Sequence, residues 1–375
     1  MGILSVPQGE FSLKRYPSFK RDSLRAWDAA DEYMLQYISD ENIIEGGNRL
    51  LVMNDSSGAL ALALADFKPQ LLSDSLLSQI ATKENLRNNS IEIAQVDFLQ
   101  TLQVPQCDIK VLLFKVPKTL SLLEDELYRI RPYLAPDARI IGAGMTRDIH
   151  TSTLEICERI LGNTETSRAK KKARLIFCKL NELIGNLQSS YPTRYTLEGT
   201  DWVLVNHANV FSRTRLDNAS RLLMEHIGAS VKNRKIADLC CGNGVLGLVA
   251  GVRNPNAEVL FFDESFMALA SVVENIEQII PEQSTCVIGA DGLGERSSNS
   301  LDLVICNPPF HSNKSIDKTV PWRLFNQAHQ ALRSGGELLI VGHISLRHDL
   351  KLRHIFGNCS QLGARGRFCV LRSEK

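Results

Sequence analysis

Through the second half of the chain the apolar residues fall into short runs of strand length, set between longer stretches whose apolar positions recur at helical spacing. "RKIADLCCGNG" (234–244) predicts a strand running into a glycine turn, and "VLGLVAGVRN" continues it as a helix. "AEVLFFDES" then predicts a strand, "FMALASVVENIEQI" a helix, and "STCVIGAD" and "LDLVICNPPF" two further strands. "WRLFNQAHQALRSGG" reads as a helix closed by glycines, followed by the strands "ELLIVGH" and "RFCVLR". This alternation implies an α/β fold with an open, mostly parallel sheet covered on both faces, in which ligands sit at the carboxyl ends of the strands.

The first half repeats the order in weaker form. "RLLVMNDSSGALALALAD" (49–66) lines up with the first strand, turn and helix so that Gly58 falls on Gly244. Downstream, Asp74 is matched to Asp263 and Asn85 to Asn275, and "KVLLFKVPK" to "DLVICNPPF". "YLAPDARIIGAG" matches "ALRSGGELLIVG", and the tails run in parallel. The pattern predicts a tandem duplication, with domains at 1–190 and 191–375 joined by a polar linker near "NLQSSYPTRY".

Length agrees, since 375 residues at 44% hydrophobic content supply two ordinary cores. No run of eighteen apolar residues occurs, which predicts a soluble cytoplasmic protein. The nine cysteines lack ligand spacing, so they read as reduced core thiols, and no metal is expected. The net charge of +1 is silent about nucleic acid. Local clusters are not: "RAKKKAR" (168–174) holds Lys170, Lys171 and Lys172, and "LRHDLKLRH" supplies Arg347, His348, Lys351, Arg353 and His354. Solvated helix faces and loops are the alternative reading of both.

Two motifs carry candidate chemistry. In "DLCCGNG", Asp238 precedes a loop whose Gly242 and Gly244 allow close backbone approach to a nucleotide-like ligand. The acidic residue before the loop suits a ligand with a charged amine better than a pyrophosphate. Asp263, ending the second strand, is placed for ribose hydroxyls, and Asp291, after the third, for an adenine amine; a helix cap or turn is the alternative for each. In "NPPF" (307–310), the Asn307 side-chain oxygen and the Pro308 carbonyl can accept hydrogen bonds from a planar amine, and Phe310 can stack on its ring. His311 is a candidate base, or else a positioning or surface residue.

Together these motifs resemble the class I S-adenosylmethionine-dependent methyltransferases of the amino type, in which [DNS]-P-P-[YFW] marks the target nitrogen. "HANVFSRTRLDNASRLLMEHI" from His207, with "AADEYML", "KVPKTL" and "RDIHTSTLEI" in the first half, is similar to the ribosomal RNA guanine-N2 methyltransferases along almost the whole chain. The resemblance is strongest to members acting on the large subunit. It implies two tandem Rossmann-like methyltransferase domains with a degenerate N-terminal copy, S-adenosyl-L-methionine as cofactor, and a guanine of 23S rRNA as target, on protein-free or partly assembled RNA. Methylation of 16S rRNA, or of a protein glutamine, is the alternative. It also implies a monomer that does not engage membranes, and places Phe211, Asp217 and Arg213 at the border of the cofactor site. One residue departs from the family's usual "DLGCGNG" loop: Cys240 stands where a glycine is expected.

The first half has lost these groups. Val52 stands for Asp238, Ser56 for Gly242 and "KVPK" for "NPPF", which predicts a catalytically dead copy. Lys115 and Lys118, added to Lys170–Lys172, suit RNA phosphates; the alternative is a purely structural remnant.

Overall fold

The computed structural model describes all residues except 1, 18–23, 48, 107, 186–187, 231, 233, 295–297 and 310–318. The chain divides into two compact units, Met1–Tyr191 and Pro192–Lys375.

The first unit opens on an antiparallel hairpin, β1 (Gly2–Val6) and β2 (Gly9–Leu13), and the helix α1 (Ala29–Asp40). There follow β3 (Leu50–Met53), α2 (Ala59–Ala63), β4 (Gln70–Ser73), α3 (Leu76–Asn88), β5 (Asp97–Gln100), β6 (Ile109–Lys115), α4 (Leu120–Ile130), β7 (Leu134–Met145), α5 (Thr151–Ile160), β8 (Thr164–Thr166) and β9 (Ala173–Cys178). The second unit repeats the series element for element. A hairpin of β10 (Thr193–Thr196) and β11 (Val203–Asn206) leads to α6 (Asn218–Met224). Then come β12 (Lys235–Leu239), α7 (Val245–Arg253), β13 (Glu258–Asp263), α8 (Phe266–Ile279), β14 (Thr285–Gly289), β15 (Leu301–Cys306), α9 (Thr319–Ala331), β16 (Leu332–His343), α10 (His348–Phe356), β17 (Ser360–Arg365) and β18 (Phe368–Glu374).

Each unit holds one seven-stranded sheet, ordered β5-β4-β3-β6-β7-β9-β8 and β14-β13-β12-β15-β16-β18-β17. Six strands of each run in one direction, and one, β9 or β18, runs against them between its two neighbours. Strand order reverses between β12 and β15, so their carboxyl ends frame the crevice where such sheets bind ligands. The strands are buried on both faces. In the second unit Ile236, Ile305 and Val341 pack with α6 and α7, while Leu239, Val304 and Ile340 pack with α9. The glycines expected to close α9 instead lie inside β16, where Gly335 takes φ +73°. The helix ends sooner because Leu332 already pairs with Leu301 of β15. Among the described residues no helix is long and apolar enough to cross a membrane.

Duplication reaches single hydrogen bonds. Buried Asn275 of α8 accepts from the Val205 amide (2.7 Å) and donates to the Val205 carbonyl (3.1 Å) and to the Asn243 carbonyl of the glycine loop (2.9 Å). Asn85 of α3 accepts from the Lys14 amide (3.0 Å) and donates to the carbonyls of Lys14 and Ser57 (both 2.9 Å). In both units one asparagine thus ties the lead-in hairpin to the first loop. One sequence match shifts by a position. Ser265 and Ser75 cap α8 and α3 through the third amide of each helix, so the residue on Asp263 is Ser73, and Asp74 falls on Glu264.

Candidate active site

The loop after β12 bends because three residues adopt left-handed backbone: Cys240 (φ +61°), Gly242 (φ +56°) and Gly244 (φ +82°), the last capping α7. A Cβ on Gly244 would press on Val272 and Phe261 at 3.1 and 3.3 Å, so this glycine serves packing. A Cβ on Gly242 would meet nothing within 4 Å, so this glycine leaves the backbone open to a ligand. Asp238 lies beneath the loop, fully buried, with Oδ2 accepting from the Gly247 amide at 2.7 Å. Its Oδ1 has no hydrogen-bond partner among the described residues, and burial pushes the carboxyl up to about 7. Asp238 holds α7 through Gly247, which no side chain could replace with Asp238 and Phe261 so close.

Asp263 is half-exposed at the end of β13 and accepts from the amides of Gly242 (2.9 Å), Glu264 (2.8 Å) and Ser265 (3.0 Å). Those three bonds engage part of the roughly four acceptor positions of a carboxylate. Asp291 follows β14, but its carboxylate is paired with Arg323 of α9, and its carbonyl accepts from Gln327 (3.1 Å). An adenine amine would have to share that carboxylate with the guanidinium.

Asn307 leaves the end of β15 and donates from Nδ2 to the Ser220 hydroxyl of α6 at 3.0 Å. Its Oδ1 is buried and has no hydrogen-bond partner among the described residues. Ser220 is held in turn because Asp217 caps α6, accepting from the amides of Ala219 (2.9 Å) and Ser220 (3.0 Å). The amide is thereby anchored by its nitrogen, which leaves its oxygen as an open acceptor at the end of β15. Pro308 is buried and Pro309 exposed; Phe310 and His311 lie outside the described residues. Phe211 is 67% exposed in the turn before α6, and the Arg213 carbonyl accepts from Thr193 at 3.1 Å.

In the first unit the corresponding crevice is closed by its own side chains. Asn54 takes φ +62° where Cys240 stands, and Gly58 φ +81° where Gly244 stands. Asp55 turns inward and accepts from the amides of Gly58, Ala59, Leu60 and Ala61 at 2.8–3.0 Å, filling the start of α2. Buried Glu126 accepts from Asn54 (2.7 Å) and Thr101 (3.2 Å), and burial pushes its carboxyl up to about 8. At the position of Asn307, Lys115 reaches Asp28 (3.0 Å) and Asp31 (2.5 Å), the cap and third residue of α1. This corrects the reading of Lys115 as a phosphate contact: its ammonium is buried between two carboxylates, which raise its pKa against the effect of burial. The replacement conserves the architecture, since Asn307 grips the third residue of α6 as Lys115 grips that of α1.

Lys118 is exposed. Lys170 lies over the Tyr33 ring at 5.5 Å, Lys171 pairs with Glu32 at 2.9 Å, and Lys172 is exposed. Lys171 and Lys172 form a two-residue hairpin turn with φ +49° and +63°, closed by reciprocal bonds between Lys170 and Ala173. Such turns favour Asn and Gly, so two lysines there hold strained backbone.

Residue patterns alone missed Ser220 and Asn275. Ser220 was legible as the third residue after a capping aspartate, and Asn275 as one of the matched positions of the repeat.

Residues 1–182 match the RLMG N-terminal domain family and residues 201–372 the methyltransferase small domain family. Over 369 residues the chain is 41% identical to the ribosomal RNA large subunit methyltransferase G of Klebsiella pneumoniae (strain 342), covering 97% of this chain and 96% of the relative. The chain belongs to the ribosomal RNA large subunit methyltransferase G family. Its fold is shared with a 16S rRNA N2 methyltransferase of T. thermophilus solved in complex with AdoMet and guanosine, at 19% identity and a TM-score of 0.76 over 100% of this chain and 97% of that one. As a member of this methyltransferase family, the chain carries the two-domain plan of its relatives from end to end.

Proposed function

We propose that the protein transfers a methyl group from S-adenosylmethionine to the N2 amine of a guanine in 23S rRNA, acting as a cytoplasmic monomer. The observation that carries this reading is Asn307: its nitrogen is fixed by Ser220, and its buried oxygen has no partner among the described residues. A buried acceptor left open asks for a donor, and an exocyclic amine is one. The relatives support the choice of substrate, being named for the large ribosomal subunit in one case and solved with AdoMet and guanosine in the other.

The residues present fit the cofactor: Gly242 leaves open space, Asp263 keeps acceptor capacity, and the exposed Phe211 ring is available to cover a ligand. When bound, S-adenosylmethionine supplies an electrophilic methyl group on a sulfonium sulfur. The chain's own part is positional. Asn307 Oδ1 and the Pro308 carbonyl accept from the two amine protons and so fix the direction of the nitrogen lone pair. Phe310 stacks on the base, which is typically worth about 1–3 kcal/mol. Alignment of this kind, without a covalent enzyme intermediate, is the main source of rate. Lys118, Lys170, Lys171 and Lys172 of the first unit contact RNA phosphates, and that unit grips RNA while the second does the chemistry.

Incubation with labelled S-adenosylmethionine and RNA from each ribosomal subunit tests the reading. Labelled N2-methylguanosine in the large-subunit RNA is expected, and its absence from both RNAs would overturn the assignment. Asn307→Ala should abolish transfer while leaving RNA affinity intact; a fully active variant would exclude the proposed role.

A further inference from the structure

We infer that His343, at the carboxyl end of β16, reads the target guanine by donating a hydrogen bond from Nε2 to the base's O6. The inference rests on the guanine reading above and names a contact beyond the NPPF motif.

Register places the residue. Cys306 pairs with Ile340, so Asn307 lies beside Val341 and His343 two residues further along the neighbouring strand. Ile305 and Val341, each two residues before these positions, share one core with Ala219 and Leu222 of α6. Strand alternation therefore carries Asn307 and His343 over the same face of the sheet. The contact of Asn307 with Ser220 of α6 agrees with that placement.

The ring's chemistry is set by its neighbours. The Ser345 amide donates to Nδ1 at 3.2 Å, and the Ser345 hydroxyl lies 2.7 Å from the same nitrogen. A backbone amide can only donate, so Nδ1 is the acceptor and the neutral ring carries its proton on Nε2. Phe368, paired with His343 across the sheet, meets the ring edge-on with centroids 5.9 Å apart. Among the described residues Nε2 has no hydrogen-bond partner. A half-buried, oriented donor is thus set on the strand next to the acceptor that holds the amine. Guanine carries N2 and O6 on one edge, separated by roughly one strand spacing of ~4.8 Å. His343 stands one strand across and two residues along from Asn307, roughly 8 Å between backbones, so the two side chains converge on one guanine edge with His343 at O6, which adenine replaces with an amine.

The first unit provides an internal control. There Lys115 pairs with Ala143, and two residues on stands Met145, which offers no N–H from its side chain. The copy that lost the amine acceptor also lacks the donor.

Transfer to 23S rRNA should be measured for wild type and for His343→Ala, His343→Phe and His343→Gln, with S-adenosylmethionine affinity as the check that the site is folded. Loss of the hydrogen bond predicts kcat/KM lower by about tenfold in the Ala and Phe variants. The Gln variant, which keeps a donor, should stay within roughly threefold of wild type. Cofactor affinity should be the same in all four. Recovery by Phe but not by Gln, or equal activity in every variant, would overturn the inference, because only ring packing would then matter. Product analysis of the wild type separates the two levels: labelled N2-methylguanosine keeps the guanine reading even when His343 is dispensable, and its absence removes both.

Discussion

At the scale of single residues, the loops following β3 and β12 combine strain with burial. Cys240 holds left-handed backbone, which disfavours a side chain by about 1–2 kcal/mol, and glycine in its place would release most of that. Cys240→Gly should therefore raise the stability of the second unit by about 1 kcal/mol in denaturant titration, against the usual direction of substitutions. Glu126 makes a different prediction. Its carboxyl is raised to about 8 by burial, above its value in the unfolded chain, so the native state keeps a proton that the unfolded chain loses. Stability should fall as pH rises from the ordinary glutamate range to about 8 and level off beyond. Glu126→Gln removes that dependence, leaving a variant about 3 kcal/mol more stable than wild type near pH 8 and nearly equal to it at pH 5. Melting curves across that range decide it. Cys240 was noticed in the sequence as a departure from the usual loop, but the backbone angle that makes the departure costly was not legible there. Glu126 gave no sign at all, because a buried glutamic acid and a solvated one look alike in a helix of alternating leucines and acids.

Between elements, the contact that recurs is the one from the end of the fourth parallel strand to the lead-in helix. In the second unit it orients the Asn307 amide; in the first it is an ion pair. Ser220→Ala should leave the Asn307 amide free to rotate, lowering kcat by about tenfold with little change in cofactor affinity, as single-turnover measurements would show. Lys115→Met should behave quite differently, leaving Asp28 and Asp31 facing each other, with Asp31 buried. A loss of about 3–5 kcal/mol of stability is expected, with RNA affinity per folded molecule unchanged. The elements were largely legible from apolar periodicity, and the repeat fixed their order. The lead-in hairpin β10–β11 and the edge strand β17 were not, since four or six residues with mixed polar faces, such as "TRYT" or "SQLGAR", carry little periodic signal. The partner of Asn307 was hidden for another reason: 87 residues separate it from Ser220, and only the packing of α6 against the sheet brings them together.

For the whole molecule, the question is what the first unit contributes. If it grips RNA, Lys171→Glu with Lys172→Glu should weaken binding of 23S rRNA and make log Kd less steep in log salt by roughly 1.5, without altering kcat at saturating RNA. Unchanged affinity and slope would instead favour a structural remnant. The lost groups Val52 and Ser56 were visible from sequence; the closing of the crevice by Asp55 was not, since it depends on where the carboxylate turns. That closure has an evolutionary consequence. Removing Asp55 alone would strand four amides at the start of α2, and introducing an aspartate at Val52 while Asp55 remains would crowd two acids beneath one helix. Either first step costs stability before the second can help, so the closure works as a ratchet. Single substitutions can wander around it, but none of them alone reopens the crevice.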